Sequence, residues 1–148
     1  MVSNMAVGTD GGIVNPAMGQ SFVIGDAISA AGTLVKLANT GKMMKCGAGD
    51  EPDGYMLTDT KDRVTEVALK NVPRGVGALV EGHKIVVPLL DTNAKITIGD
   101  ALVTANGGTV DKKNENGAGW IVGKALEAVP ANTGGFITIR VSKRYASS

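Results

Sequence analysis

Apolar positions come in short stretches of three to seven residues, broken every few positions by Gly, Pro, Asn or Asp. No segment carries the three-to-four spacing of a long amphipathic helix, and several alternate with the period of two expected of a half-buried strand. The pattern predicts strands over Phe22–Ile24, Thr33–Ala38, Lys42–Cys46, Tyr55–Thr58, Arg63–Leu69, Gly77–Val80, Lys84–Leu90, Ala101–Thr104, Thr109–Lys112, Trp120–Val122, Lys124–Ala128 and Phe136–Ser142. Asn106-Gly107 and Asn116-Gly117 suit tight hairpins, where positive φ is needed. Pro88 lacks an amide hydrogen, so its strand should lie at an edge or carry a bulge. Many short strands at this spacing predict a mainly β fold, a small barrel-like domain. A short helix within Val72–Val80 is the one helical alternative.

The chain also repeats. Ile24-Gly-Asp-Ala-Ile28 recurs as Ile98-Gly-Asp-Ala-Leu102, 74 residues on. Gly32–Lys36 is echoed by Gly108–Lys112, and Gly54–Leu57 by Gly123–Leu126. Alone, Asp26–Ala38 could be a capped helix. Its echo contains Asn106-Gly107-Gly108, which a helix interior tolerates poorly, so both copies are read as hairpins.

Residues 1–20 differ from the rest. They are polar and Gly-rich, with Ile13, Val14 and Met18 as scattered apolar anchors. They read as an extended arm that orders against a partner, with a frayed terminus as the other reading. Residues 21–148 then form the barrel-like domain.

Composition narrows the function. Gly is in excess at 21 residues without a collagen period, and five aromatics force an aliphatic core. A net charge of +1 offers no general attraction to nucleic acid or anionic membrane. No apolar run approaches the roughly 18 residues of a membrane helix, and the first residues lack a secretory pattern.

The candidate chemistry is sparse. Cys46 and His83 are the sole cysteine and histidine, which excludes an internal disulfide and a Cys-rich zinc site. A Cys46–His83 nucleophilic pair has no supporting spacing. The acids Asp50, Glu51, Asp53, Asp59 and Asp62 fail the calcium-loop pattern, since Lys61 stands where it needs Glu; an irregular metal site at Asp50 and Asp53 stays open. Gly47-Ala-Gly49 and Gly117-Ala-Gly119 lack the spacing of phosphate loops. Arg140, Lys143, Arg144 and Tyr145 read as a solvated strand edge rather than a nucleic-acid surface. No catalytic constellation and no cofactor site emerge.

Two resemblances remain. Ile24–Ile28, Gly32, Leu34 and Gly41-Lys42-Met43 resemble lipoyl and biotinyl carrier domains, which present a modifiable lysine on a hairpin; here Lys42 lacks the flanking acid, and Gly41 replaces Met or Ala. More extensively, residues 22–142 resemble the capsid cement, or decoration, proteins of tailed double-stranded DNA viruses. The shared parts are Ile24–Asp26, Val72-Pro73 with Lys84–Leu90, Gly99–Leu102, Gly107–Val110, Val122–Ala128 and Gly135–Val141, most closely over 96–142. That resemblance implies a small β-barrel that is made in the host cytoplasm and carried on the outer face of the virion. It implies no catalytic residues, the major capsid protein as partner, and a dimer or trimer, without membrane or direct nucleic-acid contact. Ile13, Val14 and Met18 are then the candidate partner-binding residues.

Overall fold

A computed structural model describes residues 19–147, and among these the fold is all β, with ten strands and no helix. The strands are β1 (Gln20–Ile24), β2 (Leu34–Leu37), β3 (Met43–Lys45), β4 (Gly54–Met56), β5 (Val72–Gly77), β6 (Lys84–Pro88), β7 (Ala101–Ala105), β8 (Thr109–Lys112), β9 (Gly119–Ala125) and β10 (Phe136–Ala146). The first five close into a barrel in the order β1-β3-β2-β4-β5. The last five form a sheet in the order β6-β10-β9-β7-β8. The two ends of that sheet meet through a parallel bridge, Leu89 with Val110, and the Leu90 amide donates to the Val110 carbonyl at 3.0 Å.

The two halves therefore trace one circuit twice. In each, the first strand runs parallel to the third, the third pairs with the second, the second with the fourth, the fourth with the fifth, and the fifth returns to the first. Pairing fixes the residue equivalence. Val35 lies between Lys45 and Gly54 as Leu102 lies between Lys112 and Gly123. Gly32 donates to the Met56 carbonyl as Gly99 donates to that of Ala125, and both glycines hold positive φ, 88° and 94°.

The repeat is thus real, but it steps by 67 residues through β2 and β3 (Val35 to Leu102, Lys45 to Lys112) rather than by 74. The matching Ile-Gly-Asp words are not structural equivalents. Ile24 is a fully buried residue of β1, whereas Ile98 is 70% exposed in a turn where the Asp100 carboxylate caps the Thr97 amide. Ile24 corresponds to Leu89 instead, each making the parallel bridge that closes its circuit.

Other expectations also shift. Arg63–Leu69 is not a strand: Glu66 turns through positive φ and only the bridge Lys61–Ala68 pairs. Val72–Val80 holds no helix: its first part is β5, Val72–Gly77, and the strand expected over Gly77–Val80 ends at Gly77. Strand β5 accommodates Pro73 because β4 pairs with this strand only at Val76 and Gly77. The two expected strands around Gly123 are one strand, β9. The arm boundary moves as well, since Gln20 already pairs with Val76 within β1. Asp26–Thr33 is irregular; Leu34–Leu37 pairs with β3 as the expected hairpin. Pro88 ends β6, which is paired only to β10 along its length.

Each circuit has its own core. Ile24, Ile28, Val35, Met43, Met56 and Val76 fill the first, with Phe22 against them. Val87, Leu89, Ile96, Leu102, Val110, Val122, Ile137 and Ile139 fill the second. Strand β2 belongs to both: Val35 points into the first core and Leu34 into the second, and neither is exposed. Alternation along a strand thus makes β2 a shared wall. The seam is also hydrogen-bonded, with Leu34 N donating to Gly108 O (2.8 Å), Gly108 N to Cys46 O (2.7 Å) and Cys46 N to Leu34 O (3.0 Å).

Candidate interaction surface

The sequence singled out residues that prove to be scattered. Cys46 is buried in the second core at 1% exposure, and burial pushes its thiol up to about 12. Such a thiol stays protonated at neutral pH and is no nucleophile. His83 sits in the exposed turn before β6, its amide donating to Val80 O and its carbonyl accepting from Val141 N.

The acidic loop serves its own conformation. Asp50 accepts from Lys36 Nζ and from the Gly47 amide, both at 2.7 Å, and these bonds, that to Lys36 foremost, hold its carboxyl below the ordinary range. Asp53 accepts from the Leu37 amide at 2.7 Å. Asp50 and Asp53 are thus engaged with separate partners, and among the described residues no three His, Cys, Asp or Glu side chains gather as a metal site would require.

Lys42 does stand in the β2–β3 turn, where a carrier lysine would be, but its Nζ donates to Asn71 Oδ1 at 2.9 Å. The basic end is distributed: Lys143 pairs with Glu51 at 2.7 Å and lies 5.5 Å from the Trp120 ring centre, while Arg140 donates to the Gly82 carbonyl. Trp120 and Tyr145 meet edge to face, which ties the end of β10 to β9. Ile13, Val14 and Met18 lie outside the described residues.

What the sequence reading missed is the apolar surface. Tyr55, Leu57, Val86 and Phe136 line a cleft between the two circuits, floored by Ala31, Gly32 and Met56. Val86 and Phe136 are each about half exposed, at 52%. A second group sits on the connection from β4 to β5, where Val64 is 90% and Val67 58% exposed. Alternation could have flagged Val86, the outward residue between Ile85 and Val87. Nothing in the sequence distinguishes Val64 from a strand residue.

The described surface is therefore one of closed sheets, short turns and outward-facing aliphatic groups. Most of the described aspartates accept from backbone amides or pair with lysines, and the thiol is sealed. Such an arrangement can bind another macromolecule by apolar contact. Compared with known proteins, the chain matches no family model and no curated sequence.

Proposed function

We propose that this chain is a capsid cement protein, which binds the outer surface of an assembled viral shell and stabilises it. The observation that carries the reading is a closed five-stranded barrel joined to a five-stranded sheet whose ends meet through the Leu89–Val110 bridge, with an exposed aliphatic surface, in a chain whose strand-and-turn order resembles that family over residues 22–142. Closure matters physically. A barrel leaves few free edges, so many copies can stay apart in solution until they meet the shell. On the shell, modest contacts multiplied over linked copies give high avidity. The partner is the major capsid protein, and the working unit is a small homo-oligomer. Residues 1–18 act as the arm, with Ile13, Val14 and Met18 as its anchors.

The test is to mix the purified full-length chain with undecorated capsids. Binding with a raised capsid melting temperature is expected. Absence of both overturns the reading. A version lacking residues 1–18, a cut placed before Gln20 so that β1 stays whole, should melt like the parent and bind capsids more weakly.

A further inference from the structure

Two Asn-Gly pairs lie in the second circuit, Asn106-Gly107 in the β7–β8 turn and Asn116-Gly117 in the β8–β9 turn. Such a pair carries reactive chemistry of its own. The glycine amide nitrogen can attack the carbonyl carbon of the asparagine side chain, because glycine has no Cβ to hinder the approach. The attack needs freedom. The side chain must swing over its own backbone, and the peptide unit between the two residues must rotate to present its nitrogen. Exposure does not separate the two pairs, since Asn106 and Asn116 both face water. Hydrogen bonding does.

Asn106 is tied at both of the groups that would have to move. Its Oδ1 accepts from the Ala48 amide of the first circuit at 3.0 Å, which holds the side chain across the seam. Its main-chain carbonyl accepts from Thr109 Oγ1 at 2.8 Å, which fixes the peptide that joins it to Gly107. One residue on, Gly108 is bonded into the seam on both sides, donating to Cys46 O and accepting from Leu34 N. Asn116 has no such ties. Among the described residues no hydrogen bond holds its side chain or its carbonyl. The Gly117 amide donates to Asn114 O at 3.1 Å, toward the long end of the normal range.

We propose that Asn116 is a site of spontaneous deamidation, converting to aspartate and isoaspartate in the folded protein, while Asn106 is protected by its place in the seam. The Gly117 nitrogen bonds to Asn116 Cγ. Its proton passes through solvent to the side-chain nitrogen, whose bond to Cγ breaks, and ammonia leaves. The five-membered imide that results adds one water at either carbonyl and opens to aspartate or to isoaspartate. Each event lowers the formal net charge of +1 by one, and the isoaspartate form also lengthens the main chain of the turn by one carbon. The turn supplies no residue to either core, so the change falls on the surface and not on the packing. This chemistry needs only water, and it stands apart from the cement-protein reading.

The experiment incubates the purified full-length chain at mildly alkaline pH, folded and in denaturant, and follows both pairs by mass spectrometry of tryptic peptides. Cleavage after Lys112 and Lys113 puts them on separate peptides, and fragment ions distinguish Asn116 from Asn114. In the folded chain the Asn116 peptide should gain the mass of hydroxyl in place of amine and split into two chromatographic forms. Asn106, which must first break two bonds, should convert at least roughly tenfold more slowly. In denaturant the two should convert at similar rates. The proposal is overturned if Asn116 stays unconverted in the folded chain, or if folded Asn106 keeps pace with it. It is equally overturned if the difference persists in denaturant, since local sequence and not the seam would then set it.

Discussion

Replacing Gly123 by alanine should be among the most damaging single-methyl additions this chain can suffer. Gly123 sits mid-strand in β9, paired with Leu102 of β7 on one side and Val141 of β10 on the other. A Cβ there would lie 2.9 Å from the Arg140 carbonyl carbon and 3.2 Å from Val141 Cα, and still closer to the Arg140 oxygen. Ordinary contact begins near 3.4 Å. The obstacle is backbone, so relief requires β9 and β10 to separate. Overpacking of this kind costs about 1–3 kcal/mol, and weakening one or two ladder hydrogen bonds adds about 0.5–1.5 kcal/mol each. The stiffer unfolded chain returns roughly 0.4–1 kcal/mol. The net expectation is about 3 kcal/mol, or a fall in Tm of roughly 6–12 °C for a domain of this size. Denaturant unfolding of wild type and variant measures it. Gly41→Ala is the control: Gly41 also resists substitution, by its φ of 85°, but a Cβ there meets nothing within 4 Å, so about 1 kcal/mol is expected. If Gly123→Ala proves as mild as Gly41→Ala, the close approach of β9 to β10 is wrong. Gly54→Ala, at the equivalent point of the first circuit, should share the sign, since its Cβ would lie 2.7 Å from the Gly77 oxygen.

Leu34→Ala should cost about 2–5 kcal/mol and still leave one cooperative transition by calorimetry, because β2 walls both cores; two separated transitions in wild type would show that the circuits fold independently. Cys46 should resist alkylation in native protein at pH 8 and react fully in denaturant, as its thiol is buried and pushed up to about 12; rapid native labelling would contradict its placement. The carboxyls of Asp50 and Asp100 are lowered by their hydrogen bonds, chiefly from Lys36 and from the Thr97 amide respectively. Their stabilisation is therefore present above the ordinary aspartate value of 3.8 and is lost as pH falls through their depressed values in the folded chain. Asp50→Ala should cost about 1 kcal/mol at pH 7 and flatten the acid limb of the stability curve; an unchanged limb would show that this pair contributes nothing.

Most of the strands were legible because their residues obey a local rule. Thr109–Lys112 is matched residue for residue, and β2, β3, β6 and β7 begin within one residue of expectation. The failures are places where tertiary contact overrides local propensity. Arg63–Leu69 has the β-branched content of a strand, but no sheet accepts it, and its valines face water. Val72–Val80 offers a short helix, with a strand expected only from Gly77, whereas the strand runs Val72–Gly77, and its glycines lie under neighbouring side chains. A Cβ on Gly77 would fall 2.5–2.8 Å from the ring and hydroxyl of Tyr55, and one on Gly75 3.1 Å from Leu57. Among the described residues most glycines are of two kinds, turns at positive φ and close approaches inside strands, and only the first has a sequence signal such as Asn106-Gly107. Of the candidate site residues, Cys46, Asp50 and Asp53 could be named but not placed, since whether a thiol or an acid is free depends on partners far along the chain.

The misaligned repeat carries the sharper lesson for function. Identical words, Ile24-Gly-Asp and Ile98-Gly-Asp, mark different structures, while the true equivalents, Ile24 with Leu89 and Gly32 with Gly99, share little beyond size or backbone freedom. A circuit kept twice with so little shared sequence identifies what the fold itself requires: a parallel closing bridge, a left-handed glycine before the second strand, and a glycine where the fourth strand crosses its neighbours. What one copy has and the other lacks is not required for closure. By that subtraction the Val64 hairpin on the first circuit, and the β10 extension from Ser142 to Ala146 on the second, are additions to the shared circuit rather than parts of it. The extension is held down by Trp120 and Glu51, and the hairpin is held at its base by Arg74.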